Sequence, residues 1–397
     1  MPNSILTPTA VTREALRILH QKLNFIGTIN RSYDDSFAQS GAKKGDVLKI
    51  RLPNQYTVTT GATLSTQDTT EANVELKVAT QKHVGLNFTS TDLTLHLDDF
   101  SKRILEPAMS VLAASIEADA LSMTTDVYNL VDGDGAALAF THILNGRKVL
   151  NDNLAPLDNS RSALLSTEHT VKLIDGLKGL FQDSEAIKKQ YKEGMMGRTS
   201  GFDFYENTLI SDHTTGTAVK ATGYLSNGVD QVGSTIAVDS ATTTFKKGDV
   251  ITFAGVNRVH PESKISTGKL QQFVLTADYA GGAGNISISP AVVATGAKQN
   301  VSNAIVDNSA VTKVGAAASE LINGSMVYHK DAFTFATADL VLPNGTHFAG
   351  RDVMDGISLR ILRDYDINND KFPCRVDVLY GFKTIRPELA CRVHADG

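Results

Sequence analysis

Oxygen-bearing side chains occupy alternate positions in Asp364-Tyr-Asp366-Ile-Asn368-Asn-Asp370, the spacing with which a loop opens around a calcium ion. The pattern fails at its two decisive positions. The sixth residue is Asn369 where the sharp turn needs glycine, and the twelfth is Arg375 where a bidentate glutamate would close the shell. The segment therefore reads as a turn, and Asp132-Gly-Asp134-Gly reads as the turn that ends a helix. The histidines (His20, His83, His96, His142, His169, His213, His260, His329, His347 and His394) form no HxxH or HExxH pair, so a zinc site would have to be assembled from distant pieces. No GxxxxGK[ST] loop cradles a phosphate, and no GxSxG elbow presents a serine nucleophile. Gly281-Gly282-Ala-Gly284 is too short for a dinucleotide fingerprint and lies in a stretch of β character. Cys374 and Cys391 lack a CxxC or Cys/His spacing and read as reduced thiols. Lys188, Lys189 and Lys192 with Glu185 and Glu193 read as a solvated face, and the absence of tryptophan leaves no stacking platform. No catalytic, cofactor-binding or metal-ligating residue is assigned, and the expectation is a protein that is not an enzyme.

The chain of 397 residues exceeds the roughly 250 to 300 residues at which one core stops growing, so two or more packed units are expected. With 42% apolar and 20% charged residues it has the makings of a cored globular protein rather than a disordered one. No run approaches the roughly 18 apolar residues of a bilayer span, and residues 1–12 lack the basic and apolar parts of a leader, so membrane and secretion are disfavoured. The formal charge of -5 is spread out, with no long basic block. Contact with nucleic acid would be loose and electrostatic rather than a reading of base edges.

Few elements are available to position any chemistry, and they follow in a clear order. Ala15, Leu16, Leu19, Leu23 and Ile26 fall on one face of an amphipathic arm helix, followed by a polar link over residues 30–44 with Asp34, Asp35 and Gly41. From residue 45 to 91 the period becomes two: Leu48, Ile50 and Leu52, then Val74, Leu76 and Val78, then Val84, Leu86 and Phe88, around a threonine-rich middle at residues 56–70. This predicts a long β-hairpin with a polar tip. A lone ribbon is marginal in water, so either a neighbouring subunit or its own domain must cover it.

Phe100, Ile104, Ala108, Leu112, Ile116, Ala120, Met123, Val127 and Leu130 predict one helix of about thirty residues. Asp98 or Asp99 would cap it, Pro107 would kink it, and Gly133 and Gly135 would end it. Helices at 142–153 and from Ser166 or Thr167 to Phe181, with a strand at 162–166 between them, complete an α+β pattern. Residues 214–311 turn rich in Thr, Ser, Gly and Val, with short strands at 234–238, 250–253, 272–276 and 285–288, which predicts an inserted β-barrel or sandwich. Strands at 340–342, 357–362 and 376–380 follow.

Phe245-Lys-Lys-Gly-Asp-Val-Ile-Thr-Phe-Ala-Gly-Val256 and Ser266-Thr-Gly-Lys-Leu-Gln-Gln-Phe273 resemble the inserted β-barrel of short-tailed phage coat proteins. His329-Lys-Asp-Ala-Phe333, Gly356-Ile-Ser-Leu-Arg360, Asp364 to Asp370 and Leu379-Tyr-Gly-Phe-Lys-Thr-Ile-Arg-Pro-Glu388 are similar to the closing strands of the same family. Gly201-Phe-Asp-Phe-Tyr-Glu206 and the stretch from Pro156 to Leu165, with Arg161, resemble more widely shared capsid patterns. The resemblance implies the tailed-phage capsid shell fold, divided as an N-terminal arm (1–44), an extended hairpin loop (45–91), a spine helix with the first part of the peripheral and axial core (92–213), an inserted all-β domain (214–311) and a return to the core (312–397). It implies a major capsid protein that self-assembles into hexamers and pentamers of an icosahedral shell around double-stranded DNA. It implies a scaffolding protein and a portal as partners, non-specific contact with packaged DNA, no membrane and no cofactor. The site of action would be the virion capsid, with assembly in the host cytoplasm. Tail and decoration proteins, and a hydrolase, are the alternatives.

Overall fold

The computed structural model describes residues 8–31, 47–64, 66–68, 71–89, 104–177, 197–354, 356–367 and 371–395. They fall into two units, one built from Met1–Ile50, Asn73–Leu121 and Phe333–Ile385, the other from Arg51–Ala72, Ser122–Ala332 and Arg386–Gly397. The architecture is mixed α and β.

In the first unit the arm is a helix, α1 (Pro8–Lys22), followed by the single turn α2 (Phe25–Thr28) and later by α3 (Glu106–Leu121). Val11, Ala15, Leu16, Ile18 and Leu19 of α1 are buried, and the helix packs on α3 and on the strand pair Phe348–Met354 and Ile357–Arg363. The arm helix thus buries its apolar face within its own chain. The polar link of residues 32–44 lies outside the described residues, as do Phe100 and the capping positions Asp98 and Asp99.

The expected thirty-residue helix is shorter at its far end. α3 stops at Leu121, Ser122–Asp126 is a tight 3-10 turn, and Leu130 belongs to a strand. The hydroxyl of Thr125 donates to the carbonyl of Ser122 at 2.9 Å, the local competition by which Ser and Thr loosen a helix end. Asp132-Gly-Asp134-Gly therefore ends a strand and not a helix. Pro107 stands one residue into α3, where winding passes from a π turn at residues 104–105 to α, a place where its missing N–H is tolerated.

The sheet of this unit is organised by the long strand Lys371–Thr384. One edge pairs with Ile357–Arg363 and then with Phe333–Ala338; the other pairs antiparallel with Thr80–Thr89 over ten positions, from Tyr380 opposite Thr80 to Lys371 opposite Thr89. The third alternating run of the expected hairpin is therefore a member of the main sheet. Only Val47–Arg51 and Asn73–Lys77 make the ribbon, as a two-stranded sheet of their own. Both edges of the long strand carry hydrogen-bonding groups, and a strand of period two is the element that satisfies them. Gly381 makes room where residues 77–78 cross this strand: a Cβ there would lie 2.2 Å from the Lys77 carbonyl oxygen. Residues 340–342, expected as a strand, form an exposed loop between strands.

The second unit holds a six-stranded sheet in the order Leu130–Asp132, Ala390–His394, Met326–His329, Arg161–Leu165, Phe202–Glu206 and Arg198–Thr199. Helices α4 (Phe140–Asp152) and α5 (Thr167–Leu177) pack against it. Phe181 and the charged run around Lys188 lie outside the described residues. Arg161 opens its strand and donates to the carbonyls of Ala155 (2.6 Å) and Pro156 (2.8 Å) and to Asn151 Oδ1 (2.8 Å), tying the end of α4 to the sheet.

The remaining strands close a barrel: Gly233–Asp239, Gly284–Val292, Ser266–Leu275, Val250–Val259, Ala310–Lys313 and Ala221–Ser226, the last pairing back on the first. Phe245, Phe253, Phe273, Tyr224 and the branched residues Ile236, Ile251, Ile286 and Ile288 fill it, so it is a packed core. Chain entry and exit are side by side, because His213–Thr214 pairs with Leu321–Ile322 and the Ser319 amide donates to the Gly216 carbonyl at 2.8 Å. A boundary at residue 311 would cut the closing strand Ala310–Lys313, and the paired neck lies further on, at Leu321–Ile322.

Candidate functional site

Among the described residues, the most exposed large apolar side chains stand beyond the end of the ribbon. At its base Ile50 and Leu76 are buried, while beyond Arg51 the chain runs through residues 52–72 with Tyr56, Val58 (97% exposed) and Leu64 (85% exposed) turned to solvent. The limbs are held as a pair: Arg51 Nε meets Glu71 at 3.3 Å, the Thr57 amide donates to Gln67 Oε1 at 3.0 Å, and Gln67 Nε2 donates back to the Thr57 carbonyl at 2.5 Å. Such exposure leaves apolar surface in water that burial against another surface would remove.

Polar groups without catalytic geometry fix the frame. In the first unit the buried carboxylate of Glu117 on α3 accepts the amides of Asn24 (3.0 Å), Phe25 and Ile26 (3.4 Å), so the turn after α1 is held by a charge on the helix it packs against. Asp377, fully buried in the long strand, accepts Arg360 Nη2 at 2.7 Å and Arg375 Nε at 2.6 Å. Asp119 takes Lys82 Nζ at 2.7 Å and the Tyr380 hydroxyl at 2.5 Å; burial and that carboxylate push the Tyr380 hydroxyl up, so it stays a donor.

In the second unit a second group of charges sits where the barrel neck meets the six-stranded sheet. Arg392, fully buried, donates to the Gly248 carbonyl at 2.8 Å, and burial lowers it to about 10. Next to it the buried Asp249 accepts His213 Nε2 (2.8 Å) and the amides of Gly216 (3.0 Å) and Lys246 (2.9 Å). Asp132, Glu320 and His394 bring ligand atoms within 4.8 Å of one another, a juxtaposition that no spacing in the sequence reveals because the three stand on separate strands and turns. Burial raises the Asp132 carboxyl above the usual range. The Asn323 amide donates to His394 Nδ1 at 3.2 Å, which assigns the neutral ring's proton to Nε2, facing Glu320 Oε1 at 3.7 Å. That tautomer offers no lone pair toward the carboxylates, and the buried Lys313 lies 3.4 Å from Glu320 Oε2. The cluster brings neck and sheet together around a buried salt bridge.

The residues singled out from the sequence take structural places. Asp364 and Asp366 stand in the turn between Ile357–Arg363 and Lys371–Thr384, with the Asp366 amide donating to the Lys371 carbonyl at 2.8 Å; residues 368–370 lie outside the described residues. Asp134 adopts a left-handed backbone (φ 49°) and pairs with Lys220 at 2.7 Å. Cys374 and Cys391 are buried and unbridged, and burial pushes their thiols up to about 11 and about 12. Neither is a thiolate at neutral pH.

Comparison with curated protein sequences finds no match. Among solved structures the chain is similar to that of Mycobacterium phage Che8, at 11% identity, TM-score 0.49, covering 94% of this chain and 90% of that one. It is also similar to the capsid structure of Cyanophage P-SCSP1u (11% identity, TM-score 0.44, 90% and 84% covered) and to the mature capsid of bacteriophage PhiM1 (10%, 0.43, 88% and 82%). The family model described as P22 coat protein, gene protein 5, matches residues 13–392, so the chain belongs to the P22 coat protein family.

Proposed function

We propose that this coat protein closes an icosahedral shell of hexamers and pentamers around double-stranded DNA by laying its ribbon tip over an adjacent copy. The family match makes it a major capsid protein of a phage virion. The observation that carries the docking is the ribbon itself, anchored at Ile50 and Leu76 while Val58 and Leu64 beyond it remain in water. Seams between copies that bury about 2,000 Å² or more would supply the driving force.

In this reading residues 1–44 serve as the arm, 45–91 as the reaching loop with its last strand returned to the sheet, and 92–213 with 312–397 as the shell wall. The inserted domain, taken as 214–311 from composition, extends to the neck at Leu321–Ile322. A scaffolding protein would guide closure in the host cytoplasm and a portal would occupy one vertex. DNA would be met loosely, as a net charge of -5 permits. No reaction is assigned to the chain.

Deleting residues 56–70 tests the docking. The expected variant keeps its thermal melt, yet sediments as small species and yields no closed particles by electron microscopy when mixed with its scaffold. Shells of unchanged size and yield would overturn the reading.

A further inference from the structure

We infer that the second unit carries a binding pocket for a phosphate oxyanion, bounded by Arg258, Lys264, Lys298 and Arg386. The cavity measures about 260 Å³, and its wall also includes Gln55 and Glu388. That volume accommodates a phosphate group with part of its hydration shell and falls below the roughly 300 to 1,000 Å³ of sites for larger organic ligands. Four cations face one carboxylate there, in a chain whose overall charge is negative.

The pairing inside the wall decides which charges are left for a ligand. Arg258 Nη2 meets Asp152 at 2.8 Å and Arg386 Nε meets Glu388 at 2.8 Å, so each guanidinium has a carboxylate partner within the chain. The Lys264 ammonium meets a backbone carbonyl, that of Gln299 at 3.3 Å, and among the described residues no carboxylate; burial lowers its proton affinity. Lys264 also holds a left-handed backbone (φ 58°), in a turn closed by its amide on the His260 carbonyl at 3.0 Å. A lysine at a position that suits glycine or asparagine is a departure from the local preference, of the kind found where a side chain is needed. With each guanidinium beside a carboxylate of its own chain and two lysine ammonium groups in the wall, the pocket suits a compact multivalent oxyanion.

The test uses the full chain and inorganic phosphate, titrated calorimetrically in low-salt buffer. Lys264→Gly with Lys298→Met is expected to weaken phosphate binding at least about tenfold, the equivalent of one charge-assisted hydrogen bond. Lys264→Gly alone is expected to hold or raise the thermal midpoint, because glycine suits that backbone, which separates lost binding from lost folding. Glu388→Gln is expected to tighten binding, and Lys220→Met, outside the pocket, to leave it unchanged. A short DNA duplex identifies the source: binding that falls with the lysine variants means the backbone phosphate is the ligand, and absence of duplex binding beside intact phosphate binding means the free anion is. Glutarate bound as tightly as phosphate, no phosphate binding by the unaltered chain, or binding indifferent to Lys264 and Lys298 would each overturn the proposal.

Discussion

His169 lies buried on α5 with Nδ1 2.8 Å from the Ser325 oxygen and Nε2 3.3 Å from the Ala395 carbonyl, while the Ser325 hydroxyl itself donates to Asn323 Oδ1 at 2.8 Å. Burial drives its pKa from 6.5 down to about 4. The unfolded chain therefore binds the proton first, so the contribution is complete above pH 6.5 and disappears as pH falls towards 4. Denaturant unfolding at pH 7 and pH 4 is expected to differ by about 3 kcal/mol through this residue, and His169→Gln to flatten that part of the profile. An unchanged profile in the variant would assign the acid sensitivity elsewhere. Glu117, Asp377 and Arg392 are partners of the same kind: each is a charge whose role is to hold backbone or sheet together. None of them was legible beforehand, because a carboxylate on a helical pattern looks the same whether it meets water or the amides of residues 24–26.

At the scale of elements, the local period was a sound guide to type and a poorer one to partner. α1, α4, α5 and the barrel strands stand close to where apolar spacing places them, since burying one face of a helix or strand is a local requirement. Thr80–Thr89 reads equally well as the return limb of a hairpin and as a sheet strand, and only the free edge of Lys371–Thr384 decided between them. The crossing at Gly381 makes this choice sensitive to a single methyl group. Gly381→Ala places its Cβ 2.2 Å from the Lys77 carbonyl oxygen, against backbone that cannot easily give way, and is expected to cost about 1–3 kcal/mol in unfolding free energy by denaturant titration. A midpoint equal to that of the unaltered chain would show that the ribbon base can shift at no cost.

For the whole molecule, the barrel is the part most able to stand alone. Its core is closed by its own strands, around Phe245, Phe253 and Phe273, and its two chain ends leave together through the pair His213–Thr214 and Leu321–Ile322. A fragment of residues 213–322 is expected to give a dispersed amide spectrum and a cooperative melt of its own, as an element with a complete core and adjacent termini should. A collapsed spectrum would mean that the six-stranded sheet, reached through Arg392 and the Asp132, Glu320 and His394 cluster, completes it.

Composition and spacing were sufficient for an α+β protein of more than one unit, with an arm helix, a ribbon and an inserted barrel in that order, and the quoted segments of the second half were sufficient for the family. These features are written in neighbouring residues, where periodicity and turn chemistry act. The return of Thr80–Thr89 to the main sheet, the meeting of Asp132 with Glu320 and His394, and the gathering of Arg258, Lys264, Lys298 and Arg386 at one cavity were decided by the tertiary structure. Each joins groups tens to hundreds of positions apart, and the energy that selects the pairing exists only once the intervening chain has packed.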